Sequence, residues 1–429
     1  MQKLLMIAYH YPPLAGSSGI QRTLRFSQDL PMLGWQPSVL SAHPRAYEKT
    51  STDLLQAIPA GTHVARAFAL DARRHLSLFN RYPGWVARPD RWLSWLLGAV
   101  PVGLKMIRQQ RPDVIWSTYP IPTAHLIGYW LSRLSGLPWV ADFRDPMAHV
   151  GYPADPATWR SYLHVEQKVF AQASRMVFTT PGAARLYRSR YPAQAGRIQV
   201  IENGYDESSF TPLAGQPGTG AVPASLNPGK VTLLHSGIVY PEWRNPQALF
   251  EALRRLIDTQ GIDAANIRLR FRAPEHSDFL EALSATYALG EVVQILPPVG
   301  YQAALTEMCA ADGLLVLQSA DCNDQIPAKV YEYIRAGKPV LGLCGAGSDT
   351  EAVLQRAGML HLAPLESSEL AGMALGHFVA ALQSGKSPCR HAEFVESFSR
   401  FSKARELAQL LNEVRHDPVA QHPATHETP

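Results

Sequence analysis

Only four cysteines occur in this chain of 429 residues, Cys309, Cys322, Cys344 and Cys389, and none forms a CxxC pair. That scarcity argues against a zinc ribbon or a disulfide framework and leaves free thiols in a reducing cytoplasm as the expectation. Long apolar runs are also missing. The best, uncharged from Trp92 to Leu104, is broken by Pro101, whereas crossing a bilayer takes about 20 residues. The apolar run after Met1 is too short for a signal peptide. No charge of one sign dominates: 40 Lys+Arg against 36 Asp+Glu gives a formal +4, too mild to argue for nucleic acid as a partner. Composition is that of a folded chain, 46% hydrophobic and 18% charged, which excludes general disorder and allows two or three cores.

What is present is a double run of alternating strands and helices, the mark of parallel sheets. Leu4 to Ala8 is a continuous apolar run suited to a strand buried on both faces. A loop with Gly16, Ser17, Ser18 and Gly19 then opens a helix that carries Ile20, Leu24, Leu30 and Leu33 and stops at Gly34. Strands are expected near 37–40, 113–116, 139–141, 176–179 and 198–201, with a helix over Ala124–Leu134. The chain is expected to divide into a first α/β domain (1–212), a Gly/Pro-rich linker (213–229), a second α/β domain (230–392), a closing helix (393–415) that returns toward the first domain, and a disordered tail (416–429). The second domain opens with the strand at Lys230–His235 and includes strands at 267–271, 292–295, 313–317 and 340–343.

The densest signal is Ile326-Pro-Ala-Lys-Val-Tyr-Glu-Tyr-Ile-Arg-Ala-Gly-Lys-Pro339. Pro327 suits a helix's first turn, where a missing N–H has no partner to lose. Gly337 suits the left-handed position just past the end. Lys329 and Glu332 stand three apart and share a face near the N-terminus, where unpaired N–H groups already favour an anion. A diphosphate beside Lys329 and a sugar diol on Glu332 together describe a nucleotide-sugar. The same residues would also make an ordinary amphipathic helix with a solvated Lys–Glu pair.

These residues resemble the donor-site helix of GT-B glycosyltransferases of the family-4-like group, and the resemblance extends over nearly the whole chain. It implies two Rossmann-like domains with parallel sheets facing across a cleft, acceptor on the first and nucleotide-sugar donor on the second. In that group Glu332 would hold the ribose and a basic residue the diphosphate. A second acid eight positions earlier is usually Glu; here it is Asp324. Gly237, after the strand ending His235-Ser236, falls at the glycine close to the diphosphate, and Arg244 falls where a further basic residue is common. The loop Gly16–Gly19, with Arg22, would approach phosphate or acceptor; it is not GxGxxG, so a dinucleotide cofactor is not expected. The segment Asp142-Phe-Arg144-Asp145-Pro146 follows a strand where the group commonly has His-Asp. The histidine is absent, and Asp142, Arg144 or Asp145 is expected to face the reacting sugar. Asn203-Gly204 marks the departure from the first domain.

The implied activity is transfer of a hexose-type sugar from a UDP or GDP sugar to a hydroxyl of a glycan or lipid-linked acceptor in envelope polysaccharide synthesis. Neither metal nor cofactor is implied beyond the sugar nucleotide as co-substrate. A nucleotide-sugar epimerase on the same fold, and a non-catalytic nucleotide-sugar-binding subunit, are the alternatives. Between Phe79 and Arg111 the basic residues Arg81, Arg88, Arg91, Lys105, Arg108 and Arg111 face one acid, Asp90, and interleave with Trp85, Trp92 and Trp95. Such a segment can lie on an anionic membrane or pack as a plain helix on its own core. The chain is therefore expected in the cytoplasm, with peripheral contact at the inner face of the inner membrane as the membrane reading.

Overall fold

The computed structural model describes residues 1–17, 19–77, 82–211, 225–385 and 392–416. They divide into two compact units: Met1–Glu202 together with the segment from Arg400, and Asn203–Ser399. The boundary thus falls at Asn203-Gly204, ahead of position 212. Most of the expected linker, and the tail beyond His416, lie outside the described residues.

In the first unit seven strands form one parallel sheet: β1 (Gln2–Ile7), β2 (Trp35–Ala42), β3 (His63–Ala67), β4 (Val114–Thr118), β5 (Trp139–Arg144), β6 (Arg175–Phe178) and β7 (Ile198–Val200). Their spatial order is β3-β2-β1-β4-β5-β6-β7. Central strands carry apolar side chains on both faces, and Leu4, Leu5, Met6 and Ile7 are wholly buried, as helices on both sides of a sheet require. The edge strand β3, His-Val-Ala-Arg-Ala, was not anticipated: its half-exposed, charge-bearing sequence lacks a buried strand's apolar run. The helix Gly19–Asp29 follows β1 and continues as a 3-10 turn, Leu30–Leu33, to Gly34.

The second unit has six parallel strands: β8 (Val231–Ser236), β9 (Ile267–Arg272), β10 (Val293–Leu296), β11 (Gly313–Leu317), β12 (Val340–Leu343) and β13 (His361–Ala363). Their order is β10-β9-β8-β11-β12-β13. Here β9 reads Ile-Arg-Leu-Arg-Phe-Arg, with Ile267, Leu269 and Phe271 buried and the arginines half-buried, the period of two that a one-sided core imposes. On the other face Arg270 and Arg272 both clasp Glu307, at 2.8 Å each.

Two expected helices differ. The motif helix spans Lys329–Ala336 with Ala328 as N-cap and Gly337 left-handed at its end. Pro327 therefore stands before the cap, outside the helix, where its carbonyl accepts from the Val330 N–H at 2.9 Å. The closing helix is two pieces, Ala392–Ser397 and Arg400–His416. Phe398, between them, packs on Tyr331 in the second unit, while Ala404, Leu407, Leu410 and Leu411 join the core of the first. One apolar stripe in sequence thus serves two separate cores.

Candidate functional site

In both sheets the strand order reverses direction beside the first strand, at β1/β4 and at β8/β11. Ligands of open α/β sheets sit outside the carboxyl ends of the strands at such a point. In the second unit the chain leaves β8 through Gly237, and the motif helix lies after β11.

Gly237 has φ of +110°, and a Cβ there would come 3.1 Å from Lys329 Nζ. Backbone and lysine therefore meet only because position 237 has no side chain. Lys329 Nζ also lies 2.9 Å from Nε2 of His235, a wholly buried residue of β8. Burial, then the charge of Arg244, push the Lys329 ammonium well below its ordinary range, against the pull of Glu332. His235 is likewise pushed well down by burial and by Lys329. Arg244 is oriented by the Ile238 carbonyl, to which Nη1 donates at 2.7 Å, and by the ring of Tyr240 at 5.3 Å. Two crowded cations held close in a partly desolvated place are unfavourable alone and favourable to a polyanion.

One turn into the helix, Glu332 accepts a hydrogen bond from the Tyr301 hydroxyl at 2.8 Å. Asp324 is exposed in the loop after β11. That loop is braced by Gln318, whose amide donates to the carbonyls of Cys322 and Gln325 at 2.6 and 2.9 Å. Gly237, Lys329 and Arg244 therefore converge, and Glu332 stands on the same helix as Lys329. Neither His235 as partner of Lys329 nor Tyr301 as partner of Glu332 was foreseen. A histidine directly after Leu233-Leu234, near the end of a buried strand, was the available signal for the first.

In the first unit the segment expected to follow a strand is largely in it: Asp142, Phe143 and Arg144 belong to β5. Asp142 is wholly buried. Its carboxylate takes Arg22 Nε at 3.0 Å and Nη2 at 3.2 Å, and the Thr118 hydroxyl at 3.2 Å. Arg22 is buried rather than on the surface, and also donates to the carbonyls of Ile201 and Glu202 at 3.0 and 3.1 Å. These contacts make Arg22 and Asp142 a buried brace, and change what was expected of both.

A register shift in the β5–β6 pairing falls between Asp142 and Arg144. Arg144 takes φ of +61°, held there by the Thr179 N–H and hydroxyl, which donate to its carbonyl at 3.0 and 2.8 Å. Bulges of this kind re-aim side chains at the ends of strands. The Arg144 side chain is turned toward Gly19, where a Cβ would come 2.8 Å from Nη1 and 2.4 Å from His10 Nδ1. His10 is pushed down to about 4, by burial first and by Arg144 second, so it is neutral at physiological pH. Asp145 has an exposed side chain. Its carboxyl is nonetheless raised above the usual range by desolvation, with Arg144 opposing and Asp142 reinforcing. In the glycine loop the Gly19 N–H donates to Ser17 Oγ at 3.2 Å and the Ile20 N–H to the Ser17 carbonyl at 3.4 Å. Those two donors, expected to face an anion, are turned inward. Gly16 is exposed, and Ser18 lies outside the described residues.

Of the three tryptophans read as a membrane face, Trp95 is wholly buried and only Trp85 is strongly exposed. Trp92 donates from its indole to the Ala46 carbonyl at 3.1 Å. Arg91 pairs with Glu48 at 2.6 Å. Arg81 lies outside the described residues. Among the described residues no helix is long and apolar enough to cross a membrane, and no group of three or more His, Cys, Asp or Glu is placed to hold a metal ion. Cys309, Cys322 and Cys344 are free thiols; Cys389 lies outside the described residues.

Solved structures with the same architecture cover almost the whole chain. Sucrose-phosphate synthase from Thermosynechococcus elongatus matches with a TM-score of 0.65 at 15% identity, over 96% of this chain and 99% of that one. Anabaena HepE in complex with UDP matches with a TM-score of 0.63 at 15% identity, over 96% and 100%. Two parallel Rossmann-like sheets of this order define the class: the chain has the GT-B fold. More particularly, residues 19–204 match the Glycosyl transferase 4-like domain. A D-inositol 3-phosphate glycosyltransferase of Actinosynnema mirum is 27% identical over 283 residues, 58% of this chain and 66% of the relative. The chain thus spans just under two thirds of that relative's length.

Proposed function

We propose that the chain is a glycosyltransferase that moves a hexose-type sugar from a nucleoside-diphosphate sugar to a hydroxyl of a glycan or lipid-linked acceptor. The observation that carries the reading is the convergence of Lys329 and Arg244 at Gly237, a place where two cations are crowded and a diphosphate would relieve them. In this reading Lys329 and Arg244 neutralise the charge that grows on the leaving diphosphate, usually the largest catalytic contribution. Glu332 holds the ribose, and Asp324 faces the donor sugar. The likeness of fold to HepE, a protein solved with UDP, supports a nucleotide-sugar donor.

In the first unit Asp145 is assigned to the acceptor hydroxyl, because Asp142 is already occupied by Arg22 and Thr118. A carboxyl raised above its usual range is the better proton acceptor. Arg144, its guanidinium close against Gly19, is assigned to orient the acceptor or its phosphate. Envelope polysaccharide synthesis in the cytoplasm, with peripheral contact at the inner membrane, is the finer part of the reading. Exposed Trp85 and Leu97, with Lys105 and Arg108 on the exposed side of the helix Trp95–Gln110, support an anionic surface as partner.

The test is a thermal-shift screen of UDP, GDP and ADP sugars, since a ligand bound only by the folded state raises the melting temperature. Nucleotide release is then measured with and without glycan acceptors. Acceptor-dependent release is expected. Interconversion of sugars without an acceptor would replace the transferase by an epimerase. Binding without turnover over a broad acceptor panel would leave a binding subunit.

A further inference from the structure

The imidazole of His235 bridges two strands and one helix. Its Nδ1 lies 2.9 Å from the Leu315 carbonyl of β11, and its Nε2 lies 2.9 Å from Lys329 Nζ. A carbonyl oxygen only accepts, so the ring proton sits on Nδ1 and the lone pair on Nε2. Lys329 is then the donor. Its amino group is held at the end of β8, against Gly237, by a buried ring.

We infer that His235 is a positioning residue for the donor's diphosphate: a neutral imidazole, anchored on Leu315, that aims the Lys329 amino group at the phosphate oxygens. This rests on the donor reading above. A free lysine chain has four rotatable bonds and loses much rotamer freedom when a ligand fixes it. A lysine already held by one hydrogen bond loses less, so the ligand binds more tightly. The bond to Nε2 uses one N–H and leaves the other donors of the group for an anion. Phosphate does not replace the histidine; it adds to it.

The same geometry couples binding to a proton. The charged and titratable groups around Lys329 are Arg244, Glu332 and His235. Burial and then Arg244 disfavour its charge, and a diphosphate restores it. Between the free and the bound pKa of Lys329, binding takes up a proton, and affinity falls as pH rises through that window. Without an acceptor at Nε2 the ammonium form is less stabilised, so the fall begins at lower pH.

The experiment is calorimetric titration of UDP and of GDP into the full chain, at several pH values above the diphosphate's own titration, in buffers of different ionisation enthalpy. Wild type is compared with His235→Phe, His235→Gln, Lys329→Met and the double variant His235→Phe/Lys329→Met. Lys329→Met is expected to weaken binding and abolish proton uptake. His235→Phe is expected to weaken binding about tenfold and to move the onset of the pH-dependent fall downward. His235→Gln, whose amide oxygen can accept from Lys329, is expected to recover most of the affinity, and it serves as the folded comparison if the Phe variant does not fold. The double variant is expected to bind no worse than Lys329→Met. A weakened Lys329→Met beside unaltered His235→Phe and His235→Gln, or losses that simply add in the double variant, would overturn the inference while leaving the donor reading intact. A Lys329→Met that binds like wild type would overturn the donor reading, and the role of His235 with it.

Discussion

Arg22 grips both carboxylate oxygens of Asp142, at 3.0 and 3.2 Å, with neither residue more than slightly exposed. One comes from the helix after β1 and the other from β5, and the remaining Arg22 donors reach the carbonyls of Ile201 and Glu202. The pair thus ties three separate parts of the first unit at the carboxyl ends of its strands. Removing one member of a buried pair strands the other charge and costs ~3–5 kcal/mol. Asp142→Asn is therefore expected to lower the stability of the first unit by that order, read as a reduced denaturant midpoint. An unchanged midpoint with lost activity would instead return Asp142 to a directly catalytic role.

Gly237 offers a sharper probe of the second unit. Alanine there is strained by its φ of +110° and brings a methyl 3.1 Å from Lys329 Nζ. A residue in so unfavourable a conformation costs ~1–3 kcal/mol. Gly237→Ala is expected to lower the melting temperature accordingly and to weaken UDP or GDP binding by on the order of tenfold, about 1.4 kcal/mol. Diphosphate affinity equal to wild type would show that the approach of Lys329 to this glycine plays no part in binding.

The ribose assignment is tested by charge and by sugar together. Glu332→Gln is expected to weaken nucleotide binding by ~1–3 kcal/mol, through loss of charge-assisted hydrogen bonds. If the carboxylate holds the diol, the penalty disappears when 2′,3′-dideoxynucleotides replace the ribonucleotides in the titration. A penalty that persists with the dideoxy ligands would transfer Glu332 to a structural role, for which its bond from Tyr301 at 2.8 Å is the obvious candidate.

Stability should also carry the mark of Lys329. Its folded-state pKa is depressed, so between that value and the ordinary lysine range near 10.4 the unfolded chain binds more protons. Stability of the second unit then rises with pH through that window, and Lys329→Met removes that rise. Denaturant midpoints of wild type and Lys329→Met, measured from neutral to alkaline pH, check the sign. A wild-type rise that survives in the methionine variant would assign it elsewhere.

The architecture was legible because buried parallel strands announce themselves: Leu4–Ile7 and Gly313–Leu317 are apolar on both faces. Edge strands do not, and β3 escaped because Arg66 and His63 interrupt its pattern. Lys329, Glu332 and Gly237 were legible as residue types at a spacing, since the helix period and the strand end fix their neighbourhood. Their partners were not. His235 meets Leu315 across 80 residues of sequence, and Arg22 meets Asp142 across 120; nothing local records either pairing. The same blindness made Asp142 look available and Pro327 look helical. Phe398 misled differently, because an unbroken apolar stripe hid the break before Arg400.

The most direct test of the account is a crystal structure of the chain soaked with UDP or GDP. The account predicts the diphosphate within hydrogen-bond reach of Lys329 Nζ and the Arg244 guanidinium, with the ribose hydroxyls on Glu332. A nucleotide bound elsewhere on the chain, or density for none at saturating concentration, would contradict it.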